Sequence, residues 1–350
     1  MTDNALASVG VVVIGRNEGT RLQRCLESVV SAIPRVFYVD SGSTDGSVAM
    51  ARGQGVEVIE LDISTPFCAA RARNAGYQRL LEADPELRFV QFVDGDCEIA
   101  GDWLRVAAET LERRPELAIV VGWTRERAPD ASIYNRLGDV EWNFSGAGEV
   151  DSVGGIFMIR REAFSSVGGF DPTIAAGEEP ELCQRLRGEG WRFLRLGQAM
   201  ATHDLAMTRF SQWWRRMVRF GYGSTDVAVR FRLPRFRRDG MRSLFWSIWL
   251  VGALVWSSLG IAGAFHEIAA WTAMTFYWGL WPAQVGRIAL RGWRDGRPLG
   301  FSVAYAFFLM LSYWPQMLGQ LLYWNDRLHK RAFRLIEHKT VLGSGNERNG

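Results

Sequence analysis

The sequence predicts an α/β protein with a mostly parallel central sheet, followed by a C-terminal helical membrane region. Apolar runs alternate with helical segments from residue 8 to residue 121, as βαβ units require. Three of those runs stop at, or just before, a residue that can hold a ligand: Asn17, Asp40 and Asp94. Beyond residue 243, long uncharged stretches rich in Trp close the chain.

In order, residues 8–14 (Ser-Val-Gly-Val-Val-Val-Ile) read as a strand buried on both faces. Gly15 to Gly19 form a turn, and Thr20 is expected to cap a helix reaching Ser31. Arg35 to Val39 is the next strand and ends at Asp40. The loop Ser41-Gly-Ser-Thr-Asp-Gly46 then leads into a helix to Arg52, with Asp45 at its N-terminus. A strand over 56–61, a helix over 67–82 and a strand from Phe89 follow, then a helix over 101–114 and a strand over 118–121. In such sheets the ligand lies at the carboxyl ends of the strands, where Asn17, Asp40 and Asp94 fall.

The run Phe89-Val-Gln-Phe-Val-Asp-Gly-Asp-Cys97 ends in two acids one residue apart. Positions i and i+2 of a strand share a side, so Asp94 and Asp96 are expected to face one ligand. Their mutual repulsion calls for a cation, and hard oxygen donors suit Mg²⁺ or Mn²⁺.

Four scattered cysteines without C-x-x-C pairs argue against a zinc or disulfide framework and fit a reducing compartment. The first residues show no signal-peptide pattern. Residues 1–208 hold 21 Arg and no Lys against 31 acids, a net −10; residues 209–350 hold 20 basic residues against 7 acids, a net +13. Such asymmetry points to two different partners. The sequence has no G-x-x-x-x-G-K-[ST], and no G-x-G-x-x-G follows the first strand, which excludes a P-loop and disfavours a dinucleotide site. A nucleotidyltransferase is disfavoured too, since the only lysines are Lys330 and Lys339.

The ordered set V-V-V-I-G-R-N-E, V-D-S-G-S-T-D-G-S, A-R-A-R-N-A-G, V-D-G-D, V-G-G-F-D and G-E-E-P-E-L-C-Q-R-L, with a later His203, resembles a family 2 glycosyltransferase with a GT-A nucleotide-sugar-binding domain, over residues 8–220. The resemblance implies inverting transfer of a sugar from a nucleoside diphosphate. It implies that Asp96 ligates the metal, that Asp94 serves the ribose or the metal shell, and that His203 completes the metal or diphosphate site. Asp40 would bond the base, with Gly15, Asn17 and Glu18 lining the same end, and Arg73 would reach base or phosphate. Gly154 and Gly155 would admit the sugar. The catalytic base maps to Glu179, with Glu178 as its alternate, where the family has Glu-Asp. Both acids also suit a helix start with Pro180 at a first position.

The expected organisation is a catalytic domain over 1–208, a basic amphipathic segment over 209–242, transmembrane or interfacial helices over 243–335 and a tail over 336–350. Gln212-Trp-Trp-Arg-Arg216 only partly matches the Q-x-x-R-W element of processive synthases. Its apolar stripe (Phe210, Trp213, Trp214, Met217, Val218) suits either a membrane interface or core packing. Residues 244–265 and 268–286 are long enough to span a bilayer as a hairpin, turning at His266-Glu267, with arginines keeping both ends cytoplasmic. Residues 299–325 are expected to break near Pro315 into a re-entrant or interfacial pair.

The function expected is metal-dependent transfer from a nucleotide sugar to a lipid-linked or saccharide acceptor in cell-envelope polysaccharide synthesis, at the inner membrane with the catalytic domain cytoplasmic. No nucleic-acid partner is expected. The alternatives are transfer to a polyprenyl phosphate, and an inactive nucleotide-sugar-binding scaffold of an export complex.

Overall fold

The computed structural model describes residues 4–65, 67–142, 146–174, 176–261 and 267–331. The tail over 336–350 and His266 of the expected hairpin turn lie outside the described residues. The chain forms two compact units, meeting at Gln212 and Trp213.

The first unit opens with α1 (Asn4–Ala7), β1 (Val9–Gly15), α2 (Thr20–Val30), β2 (Val36–Asp40), α3 (Ser47–Gly53), β3 (Glu57–Glu60), α4 (Ala69–Ala83) and β4 (Phe89–Asp94). It continues through β5 (Cys97–Ile99), α5 (Trp103–Arg113), β6 (Leu117–Glu126), α6 (Ile133–Trp142), β7 (Gly148–Glu149) and β8 (Phe157–Arg160). It ends with α7 (Arg161–Ser166), α8 (Glu178–Gly188) and β9 (Arg192–His203).

Among the described residues one sheet runs β3-β2-β1-β4-β8-β6-β9-β5, with β7 also on β9. Its first four strands are parallel, as the alternation of strands and helices requires. Beyond β4 the sheet is mixed: β8 is antiparallel to both β4 and β6, while β6 and β9 are parallel. β1 and β2 are buried at every position, so their sequences carry no polar alternation. An aromatic cluster of Phe92, Phe157, Phe164 and Phe170 joins the two halves, with ring centroids 5.3–6.2 Å apart. The buried Arg160 donates to the carbonyls of Leu111 and Arg114 and so caps the end of α5.

Three local expectations change. Thr20 is the first residue of α2, whose cap is Gly19 at φ 52°, a conformation glycine adopts without Cβ strain. β6 runs five residues past Val121, to Glu126. Asp96 lies in the turn after β4, because the strand stops at Asp94, so the two acids are not strand neighbours on one side.

Helix α4 lies directly on the sheet through Gly76: a Cβ there would meet Val12 Cγ1 at 2.3 Å and Val39 Cγ2 at 3.0 Å. Gly76→Ala is expected to cost about 1–3 kcal/mol by overpacking. The urea midpoint should fall at unchanged slope, while Gly53→Ala, which meets nothing within 4 Å, should leave it in place.

Four long helices follow: α9 (Phe210–Phe231), α10 (Pro234–Ile261), α11 (Glu267–Arg294) and α12 (Leu299–Leu328). α12 runs unbroken through Pro315, where the sequence predicted two shorter pieces. Proline removes one helical hydrogen bond, and here the residue is buried among neighbours that hold the helix together. Trp213, Met217 and Val218 of α9 are buried, and Trp213 meets Phe308 edge to face at 5.1 Å, so these three pack as core, while Phe210 is 45% exposed and Trp214 half-buried. α9 and α12 touch backbone to backbone. A Cβ on Gly221 would lie 2.1 Å from the Gln316 carbonyl oxygen, and one on Gly319 would lie 2.2 Å from that of Val218. Where two spans were expected, one helix segment among the described residues, Pro234–Leu259, is long and apolar enough to cross a membrane.

Candidate active site

The carboxyl ends of β1, β2 and β4 deliver Gly15, Asp40 and Asp94 to one edge of the sheet. The first β-to-α turn is built by hydrogen bonds between two loops. Asn17 stands at φ 54°; its N–H donates to Ser43 Oγ (2.9 Å) and its side-chain oxygen accepts from the Thr44 N–H (2.7 Å). Asp40 is buried. One of its oxygens accepts from Tyr38 Oη (2.7 Å), the other from the N–H groups of Gly42 and Ser43 (2.9 and 2.8 Å). Burial and the Asp40 carboxylate both push the Tyr38 phenol far above its usual range. Asp40 therefore shapes the loop beside the site, and Asn17 pins it. Glu18 pairs with Arg21 at 2.8 Å, and Asp45 accepts from the Ser47 N–H at the start of α3, as its turn reading requires.

Arg73 of α4 is the electrostatic hub. It is 2% exposed and reaches Asp94 (3.0 Å), Glu178 (3.0 Å) and Glu179 (3.1 Å), with the Phe170 ring 5.4 Å from its guanidinium carbon. Sequence reasoning aimed this guanidinium at base or phosphate; in the structure it neutralises three acids from two elements, β4 and α8. Burial works against its charge, but Asp94, Glu179 and Glu178 outweigh that and raise its pKa. Gly155 leaves room for this pairing, since a Cβ there would lie 2.6 Å from both Arg73 Nη2 and Asp94 Oδ2. Gly154 has nothing within 4 Å of an added Cβ and faces open space.

Glu178 and Glu179 begin α8, after Gly177 at φ 94°. Pro180 is the third helical residue, still within the first turn, where no N–H partner is needed. The Glu179 carboxyl is pushed up to about 7 by burial and then by the Glu178 charge, with Arg73 opposing. A carboxylate of that basicity is suited to take a proton near neutral pH.

Asp96 is 4% exposed. Its Oδ2 lies 3.3 Å from His203 Nε2, and its Oδ1 accepts from Cys97 Sγ at 3.3 Å. Ligand atoms of Asp96, Cys97 and His203 all fall within 4.8 Å of one another, a spacing that fits one divalent cation. Asp94, expected at the ribose or the metal shell, pairs with Arg73 at 3.0 Å and keeps a 36% exposed side chain. His203 is fixed between Glu126 (3.8 Å from Nδ1) and the Trp142 ring (centroids 4.2 Å). Sequence reading missed Glu126 and the ligand capacity of Cys97. The apolar signal of this strand ends at Val121, and Trp123 to Glu126 carry no local pattern that would have extended it to Glu126.

Residues 10–168 match the glycosyl transferase family 2 model. Over 234 residues the chain is 28% identical to the pre-mycofactocin glycosyltransferase of Mycobacterium tuberculosis, covering 63% of this chain and 48% of that protein. It is also 34% identical over 88 residues to a TPR repeat-containing protein of Synechococcus elongatus, covering 24% of this chain and 22% of that one. The chain thus spans about half, or less, of the curated relatives it matches. Among solved structures it resembles the mannosyltransferase PcManGT from Pyrobaculum calidifontis, in complex with GDP-Man and Mn²⁺. The TM-score is 0.51 at 18% identity, over 92% of this chain and 87% of that one, a likeness in fold alone.

Proposed function

We propose that this chain, whose residues 10–168 match the glycosyl transferase family 2 model, transfers a sugar from a nucleoside-diphosphate donor to an acceptor hydroxyl, with inversion and with a divalent cation. The observation that carries this reading is the pairing of two separate acidic centres at one sheet edge. One is a cation-sized group around Asp96; the other is Glu179, 15% exposed and 3.1 Å from Arg73, whose carboxyl is raised toward neutrality by burial.

Asp96 and His203 would hold the cation, which when bound supplies positive charge against the leaving diphosphate. Glu179 takes the proton of the attacking hydroxyl, and Arg73 returns it to the charged, reactive form by stabilising its anion. Glu178, bonded to the same guanidinium, sets the position of Arg73. Asp40 and Asn17 form the wall against which the nucleotide lies, and Gly154 leaves space for the sugar.

The finer reading is a lipid-linked acceptor in cell-envelope polysaccharide synthesis, at the cytoplasmic face of the inner membrane. Its support is the exposed apolar surface of α10, where Phe245, Ile248 and Val255 are 50%, 63% and 54% exposed. The ten arginines of residues 209–242 add attraction to an anionic leaflet.

A thermal-shift screen of nucleoside diphosphates with and without Mn²⁺ tests the donor site. One base is expected to stabilise the chain, and only with the ion; Asp96→Asn should lower that nucleotide's affinity at least tenfold. Transfer from the matching nucleotide sugar onto polyprenyl-diphosphate sugar, a polyprenyl phosphate or a free saccharide then separates the acceptors. No stabilisation by any nucleotide, together with unchanged affinity in Asp96→Asn, would sink the enzyme reading.

A further inference from the structure

Cys97 is the first residue of β5 and lies directly opposite His203 in the antiparallel register of β5 and β9. Cross-strand partners of this kind share a face, which brings the thiol and the imidazole toward the same space. Cys97 is fully buried, and its Sγ is 3.3 Å from Asp96 Oδ1, while the other oxygen of that carboxylate is 3.3 Å from the imidazole. A tetrahedral ion bound at ~2.0 Å to nitrogen and oxygen and ~2.3 Å to sulfur needs its ligand atoms roughly 3.3–3.5 Å apart. One carboxylate oxygen stands at about that distance from the thiol and the other from the imidazole, and one ligand atom of each residue lies within 4.8 Å of the other two. The neighbouring Cys25 does not compete for the position, because its Sγ is directed to the Asp94 carbonyl at 3.7 Å.

We propose that Asp96, Cys97 and His203 form a thiophilic metal site that prefers Zn²⁺, Co²⁺ or Cd²⁺ over Mg²⁺. The proposal rests on the reading of Asp96 and His203 as metal ligands and adds sulfur as the third donor. A carboxylate with water alone suits Mg²⁺; imidazole and thiolate move the preference to borderline and soft ions. On binding, the S–H bond of Cys97 breaks, its proton leaves to solvent, and a metal–sulfur bond takes its place with no change in oxidation state. The chain would then hold a zinc-group ion more tightly than the oxygen-seeking ions its D-x-D motif suggests.

Titration of the metal-free chain with Co²⁺ tests this without any enzymatic assay. The expected result is an intense near-ultraviolet thiolate-to-cobalt band, bleached by one equivalent of Zn²⁺ and absent from Cys97→Ser. That variant should bind Zn²⁺ at least tenfold more weakly while its Mn²⁺ affinity changes less than threefold. Should Cys97→Ser fail to fold, a chain keeping Cys97 alone (Cys25→Ala, Cys68→Ala, Cys183→Ala) must retain the band. Weak visible absorption only, with Mn²⁺ still bound, overturns the sulfur ligand and leaves the parent reading intact. A cobalt–thiolate band in a chain that binds no Mn²⁺ supports this site while removing the proposed role of that ion in transfer. Failure of both ions to bind overturns both.

Discussion

Arg73→Met is expected to destabilise the sheet unit by about 3–5 kcal/mol, because it strands carboxylates that the fold has already desolvated. Methionine fills much of the same space, so the loss reports charge and hydrogen bonding more than volume. Asp94, 36% exposed, can turn to water and contributes the smaller part. Glu178 and Glu179 are held at the buried start of α8 and cannot. Arg73→Lys should recover only a fraction, since one ammonium cannot span three acids as the two arms of a guanidinium do. The deficit is read as a lowered urea midpoint at pH 8, and it should shrink at pH 5, where Glu179 becomes neutral without help. A variant within 1 kcal/mol of the parent at pH 8 would show that the hub is not needed.

Glu179→Gln is expected to move activity and stability in opposite directions. If Glu179 is the base, turnover should fall about 10²–10⁴-fold with little change in donor affinity. The residue's pKa of about 7 lies above the ordinary value of 4.5, so the folded chain binds this proton more tightly than the unfolded chain does. The protonated carboxyl thus adds stability below pH 4.5, and that contribution drains away as pH climbs to 7. Glutamine stays neutral throughout. At pH 8 the variant should therefore gain up to roughly 3 kcal/mol, several degrees in melting temperature, and at pH 4 it should gain nothing. Melting curves across that range decide the matter: a pH-independent difference refutes the buried, raised carboxyl. A small loss of turnover instead, with the pH-dependent gain intact, would point to an acceptor that arrives already ionised, such as a phosphate.

The strands that reach the site were legible because burial on both faces leaves an unbroken apolar signature, as in Val9–Gly15 and Phe89–Asp94. Strand ends were less so. Nothing local in Val-Asp-Gly-Asp says that pairing stops at Asp94, yet that single residue decides which acid joins Arg73 and which joins His203. Glu126 was hidden by the same uncertainty, since Trp123 to Glu126 pair with β9 and their own composition does not announce a strand. The role of Arg73 was beyond sequence reading for another reason. Its partners lie 21, 105 and 106 positions away, and only the fold brings them within one guanidinium's reach. Pro315 misled because a buried helix tolerates a break in its ladder that an isolated one does not.

Where Gly221 meets Gln316 and Gly319 meets Val218, no side chain stands between two main chains. Elsewhere a bulky replacement can be absorbed by neighbours changing rotamer, and the damage stays local. At these two positions there is nothing to rearrange, so even one added methyl must push a whole helix aside. Variation in the helical unit is thereby limited at this crossing by rigid geometry and not by the chemistry of the residue introduced. Natural relatives sharing this crossing should keep small residues at both positions, however far their apolar surfaces diverge.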